Sequence, residues 1–214
     1  MEETKFLIVI GLDIEGYTNK PIIQQLKVQK KLEDWVLKAS EEAKLSDSGV
    51  APKWIDTGDG GFLIYETDYL KSLTFFEIFY RELDRHNDDV KDEAKILVRA
   101  AVHCDDALHW QGKLGVRYAG NAINVCARIL NGMLRSYSNQ VVCSGIYMEK
   151  IMQGGVAVKG RRMQDYVDKH GVGHAVWNMQ KVPGFGVEGK ATAPRNRSSS
   201  PPGDQATWSG GRAH

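Results

Sequence analysis

The sequence predicts an α+β domain with a largely antiparallel sheet, and three observations carry that reading. Apolar runs of strand length alternate with amphipathic stretches of helical length over the first hundred residues, in the order strand, helix, strand, strand, helix, strand. Gly58-Asp59-Gly60 lies between two short β-prone runs, a hairpin signal that makes those strands antiparallel neighbours. Further hairpins follow in the middle and at the end, a mixture expected to place helices on one side of the sheet. The expected core is βαββαβ.

Taken in order, the first strand covers 5–13, and its Leu7-Ile8-Val9-Ile10 run is buried. Asn19-Lys20-Pro21 then supplies a cap and a first-turn proline to a helix over 21–45. Ile22, Leu26, Leu32, Trp35, Val36, Ala39 and Ala43 fall on one face of it. A hairpin over 53–66 leads into a second helix over 67–88, with Leu70, Leu73, Phe76, Phe79, Tyr80 and Leu83 as its apolar face. Residues 96–103 read as a strand buried on most sides, followed by a hairpin from Trp110 to Gly120. A helix over 121–133, a strand over 140–143, a short helix over 145–153 and strands near 163–168 and 173–181 complete the pattern. From Pro183 onward Gly, Ser, Pro and Arg displace apolar periodicity, so the domain is read as 1–182 and residues 183–214 as a disordered tail.

A chain of 214 residues holds one domain with a full core. With 28 basic and 27 acidic residues, its net charge of +1 advertises neither nucleic acid nor an anionic membrane as a partner. No apolar run reaches the roughly 18 residues of a membrane span, and Met1-Glu2-Glu3-Thr4 lacks the basic start of a signal peptide. A cytoplasmic location is expected. Cys104, Cys126 and Cys143 sit in apolar surroundings without CxxC spacing, which reads as reduced, buried thiols.

Chemistry concentrates where two apolar runs end. Asp13 follows Leu7–Leu12 and Asp59 sits in the Gly58–Gly60 turn, so neighbouring strands bring both carboxylates to one end of the sheet. Hard oxygen donors beside a turn with free backbone N–H groups suit divalent cations and a triphosphate. Each piece also has a plain structural reading. A strand-ending aspartate is commonly a turn residue, and Asp-Gly is commonly only a turn. Asn124 and Arg128, four apart on a helix, are commonly an exposed polar stripe. Joint occurrence in this order is what points to a site.

Asp13-Ile14-Glu15-Gly16-Tyr17-Thr18, Gly58-Asp59-Gly60 and Gly120-Asn121-Ala122-Ile123-Asn124-Val125-Cys126-Ala127-Arg128 resemble the three signature segments of class III nucleotidyl cyclases, the adenylate and guanylate cyclase catalytic domains. The resemblance covers about residues 5–180. It implies a ferredoxin-like βαββαβ core and conversion of a nucleoside triphosphate to its 3′,5′-cyclic monophosphate plus pyrophosphate. By the same resemblance Asp13, Asp59 and the Ile14 carbonyl would hold two divalent cations per site, Mn²⁺ or Mg²⁺. Glu15, Gly16, Tyr17 and Thr18 would offer N–H groups to the phosphates. Asn124 would orient the ribose and Arg128 would stabilise charge growing at the α-phosphate, a role worth about 10³–10⁵ in rate. Lys169 matches a basic residue that reaches the phosphates from the terminal hairpin, with a solvated surface lysine as its other reading. In this family the aspartates and the Asn/Arg pair meet across subunits, which implies a homodimer with two interfacial sites.

The positions that read a purine in this family are altered. Ile55 and Arg117 stand there. Arginine only donates hydrogen bonds, which suits uracil O4 or guanine O6, and bulky Ile55 and Trp54 would narrow the pocket towards a smaller ring. Alternatively, Arg117 points to solvent and Trp54 packs on a helix. The compact form and the Asp168-Lys169-His170-Gly171 segment are similar to the pyrimidine cyclases of bacterial anti-phage Pycsar systems. That similarity implies UTP, or else CTP, as substrate and a cyclic product that acts on a separate effector. The competing expectations are a cyclase making cyclic AMP or cyclic GMP, and a catalytically inactive nucleotide-binding regulatory module. His103, His109 and His174 are read as packing or surface residues.

Overall fold

The structure is a computed structural model and describes residues 3–47, 50–66, 68–113, 115–133, 137–156, 158, 160–167 and 171–179. Lys169 and the expected tail at 183–214 lie outside the described residues.

Strands β1 (Glu3–Ile14), β2 (Lys53–Asp56), β3 (Gly60–Tyr65) and β4 (Val98–Gly112), with helices α1 (Ile22–Glu42) and α2 (Lys71–Asp89), form the βαββαβ unit. Their order in the sheet is β2-β3-β1-β4, all pairs antiparallel, which is the ferredoxin-like arrangement. After them come β5 (Gly115–Gly120), α3 (Asn121–Gly132), β6 (Val141–Ser144), α4 (Gly145–Gln153), β7 (Gly160–Arg162), β8 (Tyr166–Val167), β9 (Gly173–His174) and β10 (Val176–Met179). β6 adds parallel to β4, β10 and β7 extend the sheet beyond it, and β5 folds back on the far half of β4. β8 and β9 pair apart from the main sheet.

β1 is apolar on consecutive residues, so both of its faces require cover. Ile8, Ile10, Leu12 and Ile14 join the core under α1, α2 and α4. Phe75, Phe76 and Phe79 of α2 are at most 2% exposed there, each contributing about 1.5–3 kcal/mol by leaving water. Leu7 and Val9 face the other way and pack under α3, against Val125, Cys126, Ile129 and Leu130. The expectation of helices on one side therefore fails for α3. Close approach at this second face depends on Gly11, where an added Cβ would stand 3.1 Å from Leu130 and 3.2 Å from the Cys126 sulfur.

Two further expectations change. β4 is one strand of 15 residues rather than a strand and a separate hairpin arm, because Asp105 and Asp106 remain in the ladder opposite Leu7 and Phe6. Ile22 and Leu26 are exposed, since the inward stripe of α1 begins at Val28. One turn earlier the inward position is Gln25, whose amide donates to the Lys20 carbonyl at 2.8 Å. Among the described residues, no helix is long and apolar enough to cross a membrane.

Candidate active site

The β1–β3 register sets Asp13 opposite Gly60, and the Ile14 N–H donates to the Asp59 carbonyl at 2.8 Å. Both aspartates therefore sit at one end of the sheet, on adjacent strands whose Cα atoms are about 4.5–5.5 Å apart. Several contacts fix the hairpin that carries Asp59. The Asp56 carboxylate accepts from the Gly58 N–H at 2.7 Å, the Thr57 N–H donates to the Gly60 carbonyl at 3.1 Å, and Gln29 of α1 donates to the Gly58 carbonyl at 2.5 Å. Gly60 is required by proximity: a Cβ there would run into the Leu12 carbonyl, 2.8 Å from its carbon, and lie 2.9 Å from Asp13 Cα.

Beyond Asp13 the chain turns sharply through Gly16, whose φ of 64° is left-handed, into a short 3₁₀ turn at Tyr17–Asn19. The Glu15 N–H donates to the Leu97 carbonyl at 2.9 Å, and the Ser138 hydroxyl donates to the Glu15 carboxylate. Glu15 thus ties the turn to the start of β4, leaving the N–H groups of Gly16, Tyr17 and Thr18 as those the turn presents.

Asp13 has a charged partner that sequence reasoning missed. Arg99, opposite it in the β1–β4 ladder, donates through Nε to Oδ2 at 2.8 Å and also through Nη2. Its Nη1 donates to the Met133 carbonyl at the end of α3, at 2.9 Å. A single cation inside the apolar run Ile96–Val102 was the available signal, since a charge in a buried strand requires a partner.

Asn124 and Arg128 lie one turn apart on α3, Asn124 exposed and Arg128 half-buried. The Asn124 amide donates to the Gly120 carbonyl at 3.1 Å. Met133, which touches Arg99, follows Asn124 by nine residues, about 13 Å of helical rise. The chain therefore gathers Asp13, Asp59 and the Gly16–Thr18 turn, and sets Asn124 well along α3 from the Arg99 contact that adjoins them.

Ile55 is half-buried on the sheet face that carries α3, together with Phe62 and Tyr118. Trp54 packs into the opposite core, so it does not share Ile55's surroundings. Arg117 is exposed in β5 opposite Trp110, and alternation sends it to the other side from Tyr118. Lys53 joins β2 to the β4–β5 arm, donating to the Val116 carbonyl at 3.0 Å with its ammonium 5.5 Å from the Tyr118 ring.

The donor set suits a hard cation. Two carboxylates and a main-chain carbonyl offer hard oxygen donors, and Asp13 Oδ2 already accepts from Arg99. Among the described residues no cluster of three or more His, Cys, Asp or Glu side chains forms, so a cation would complete its shell with carbonyl, water or phosphate oxygens.

No protein-family profile and no curated protein matches the chain. Solved structures do. An adenylate/guanylate cyclase/hydrolase from Silicibacter pomeroyi superposes with TM-score 0.64 and 18% identity, covering 82% of this chain and 96% of that one. The guanylate cyclase domain of RhGC from Catenaria anguillulae, solved in complex with GTP, gives TM-score 0.64 and 11% identity over 84% and 98% of the two chains. A non-canonical dimeric guanylyl cyclase domain of the RhoGC fusion protein from Blastocladiella emersonii gives TM-score 0.62 and 11% identity over 84% and 97%. The chain has the fold of adenylate and guanylate cyclase catalytic domains.

Proposed function

We propose that this protein is a nucleotidyl cyclase working as a homodimer, forming a 3′,5′-cyclic nucleotide and pyrophosphate at two equivalent interfacial sites. The observation that carries this reading is the meeting of Asp13 and Asp59 beside the Gly16–Thr18 turn, on a cyclase fold. Asp13, Asp59 and the Ile14 carbonyl would hold two divalent cations, Mn²⁺ or Mg²⁺. Such ions, when bound, lower the pKa of the ribose 3′-hydroxyl and neutralise the departing pyrophosphate. The N–H groups of Gly16, Tyr17 and Thr18 receive phosphate oxygens at the start of a helical turn. Asn124 of the partner subunit orients the ribose, and its Arg128 offsets charge at the α-phosphate as the 3′-oxygen forms its new bond. Lys169 is assigned to the phosphates on the strength of the resemblance alone. The helical distance between Asn124 and the aspartates supports assembly from two chains.

UTP is the favoured substrate and CTP the second choice. Ile55 narrows the base pocket, and Arg117, a donor-only side chain on the β4–β5 arm, matches uracil O4 when supplied across the seam. The cyclic product is assigned to a second-messenger role in anti-phage defence, acting on a separate effector. A purine cyclase is the second reading, supported by the GTP complex of the RhGC domain.

The test is incubation of purified protein with each of the four NTPs and Mn²⁺, with products identified by mass spectrometry. Cyclic UMP as the main product is expected. Cyclic AMP or cyclic GMP as the main product removes the pyrimidine reading, and no cyclic product from any NTP removes the cyclase reading.

A further inference from the structure

We propose that the groove between α1 and the segment from His86 to Ile96 is a second ligand site, which binds a small phosphate ester of about mononucleotide size. The groove encloses about 500 Å³, within the range of small-molecule sites. Lys20, Lys27, Lys31 and Lys91 line it against a single carboxylate, Glu93. None of these four lysines forms an ion pair among the described residues, whereas nearby Lys95 is paired with Asp92 at 2.7 Å. Lys27 and Lys31 recur along one side of α1 together with Gln24, and Lys20 stands just before that helix, so the excess charge faces one opening rather than surrounding the helix. An anion is the complementary occupant.

The floor indicates an organic body as well as a charge. Val28, Val90 and Ile96 supply apolar surface, and the His86 ring, tilted against Trp35 at 5.6 Å, closes one side. Burial and the neighbouring Lys31, opposed by Asp89 and a main-chain contact at Ala94, hold His86 below the usual histidine value, so a neutral ring is available to a ligand. A phosphate among the lysines with its organic part on Val28 and Ile96 satisfies both halves of the lining.

This groove is also wired to the turn that follows Asp13. Asn87 holds Ile96 through both main-chain groups at 2.8 Å, and the next carbonyl, Leu97, receives the Glu15 N–H at 2.9 Å. Lys20 closes the same turn from the other side, its N–H donating to the Tyr17 carbonyl at 3.0 Å. Ligand in the groove therefore stiffens the Gly16–Thr18 turn. Binding stands independently of the cyclase reading; only an effect on turnover rests on it.

The experiment titrates the full chain in EDTA with uridine 5′-monophosphate while following the His86 ring resonance by NMR, assigned through His86→Gln. A saturable shift is expected. Lys27→Glu/Lys31→Glu should weaken it by about tenfold or more, with Lys91→Glu as the second variant should the double one misfold. Arg128→Ala should leave it unchanged. Inorganic phosphate should bind at least about tenfold more weakly, because it cannot cover the apolar floor. The proposal is overturned by no His86 shift at millimolar probe, by equal affinity for inorganic phosphate, or by a shift that survives charge reversal and vanishes with Arg128→Ala.

Discussion

Arg99 stands directly across the β1–β4 ladder from Asp13 and donates to its carboxylate from both Nε and Nη2, while its third nitrogen reaches the Met133 carbonyl. The pair is only about one-fifth exposed, with side-chain values of 22% and 17%. A cation at Asp13 must share that carboxylate with a guanidinium.

Replacing Arg99 with Gln should therefore raise affinity for Mn²⁺ by about tenfold, read by electron paramagnetic resonance titration without nucleotide. The same change should cost about 1–3 kcal/mol in urea unfolding, because a charged hydrogen-bonded partner is lost. Weaker Mn²⁺ binding in the variant would show that Arg99 orients Asp13 for the ion instead of competing with it.

Gly60→Ala should lower stability by about 3 kcal/mol or more, measured by urea denaturation, since its Cβ has no room between the Leu12 carbonyl and Asp13 Cα. Gly58, at φ 93° with open space beside it, should tolerate Asn far better. A small effect at Gly60 would mean that β1 and β3 can separate at the site.

Much of this was legible in the sequence, for identifiable reasons. The apolar runs before Asp13 and Asp59 specified two strands, and the Gly58-Asp59-Gly60 turn specified their antiparallel contact, so convergence of the aspartates followed. The position of α3 was legible in principle, because Leu7-Ile8-Val9-Ile10 cannot be covered from one side, whereas the hairpin count points to a one-sided sheet. Trp54 and Ile55 do not share one pocket, because adjacent strand residues face opposite ways and the structure sends them into different cores. The span between Asn124 and the aspartates was not legible, since it depends on where α3 ends against Arg99.

His103 sets a pH dependence. Its Nδ1 lies 2.7 Å from the Ser144 hydroxyl and the ring is 1% exposed. Burial pushes its pKa down to about 4, against a weaker opposing pull from Asp105. The unfolded chain therefore takes up the proton first, and stability falls as pH drops from about 6.5 to about 4, by about 3 kcal/mol in all. His103→Gln should remove that part of the slope when urea midpoints at pH 7.5 and pH 4.5 are compared with those of the parent protein. Identical slopes would assign the dependence to carboxylates.

Cys104, Cys126 and Cys143 are free and buried, and burial pushes the first two thiols up to about 12 and the third higher still. Thiolate is the reactive form, so the native protein at pH 8 should react with Ellman's reagent only about as fast as it unfolds. One rapidly labelled thiol would contradict this packing.

Two individually inactive variants test the shared seam most directly. Asp59→Ala and Arg128→Ala homodimers should each lack turnover while keeping their fold by circular dichroism. Mixed in equal amounts and allowed to exchange subunits, they should recover about one quarter of parental activity, because half the dimers are mixed and each of those holds one intact site. A mixture that exchanges subunits yet stays inactive would contradict a site built from the aspartates of one chain and the arginine of the other.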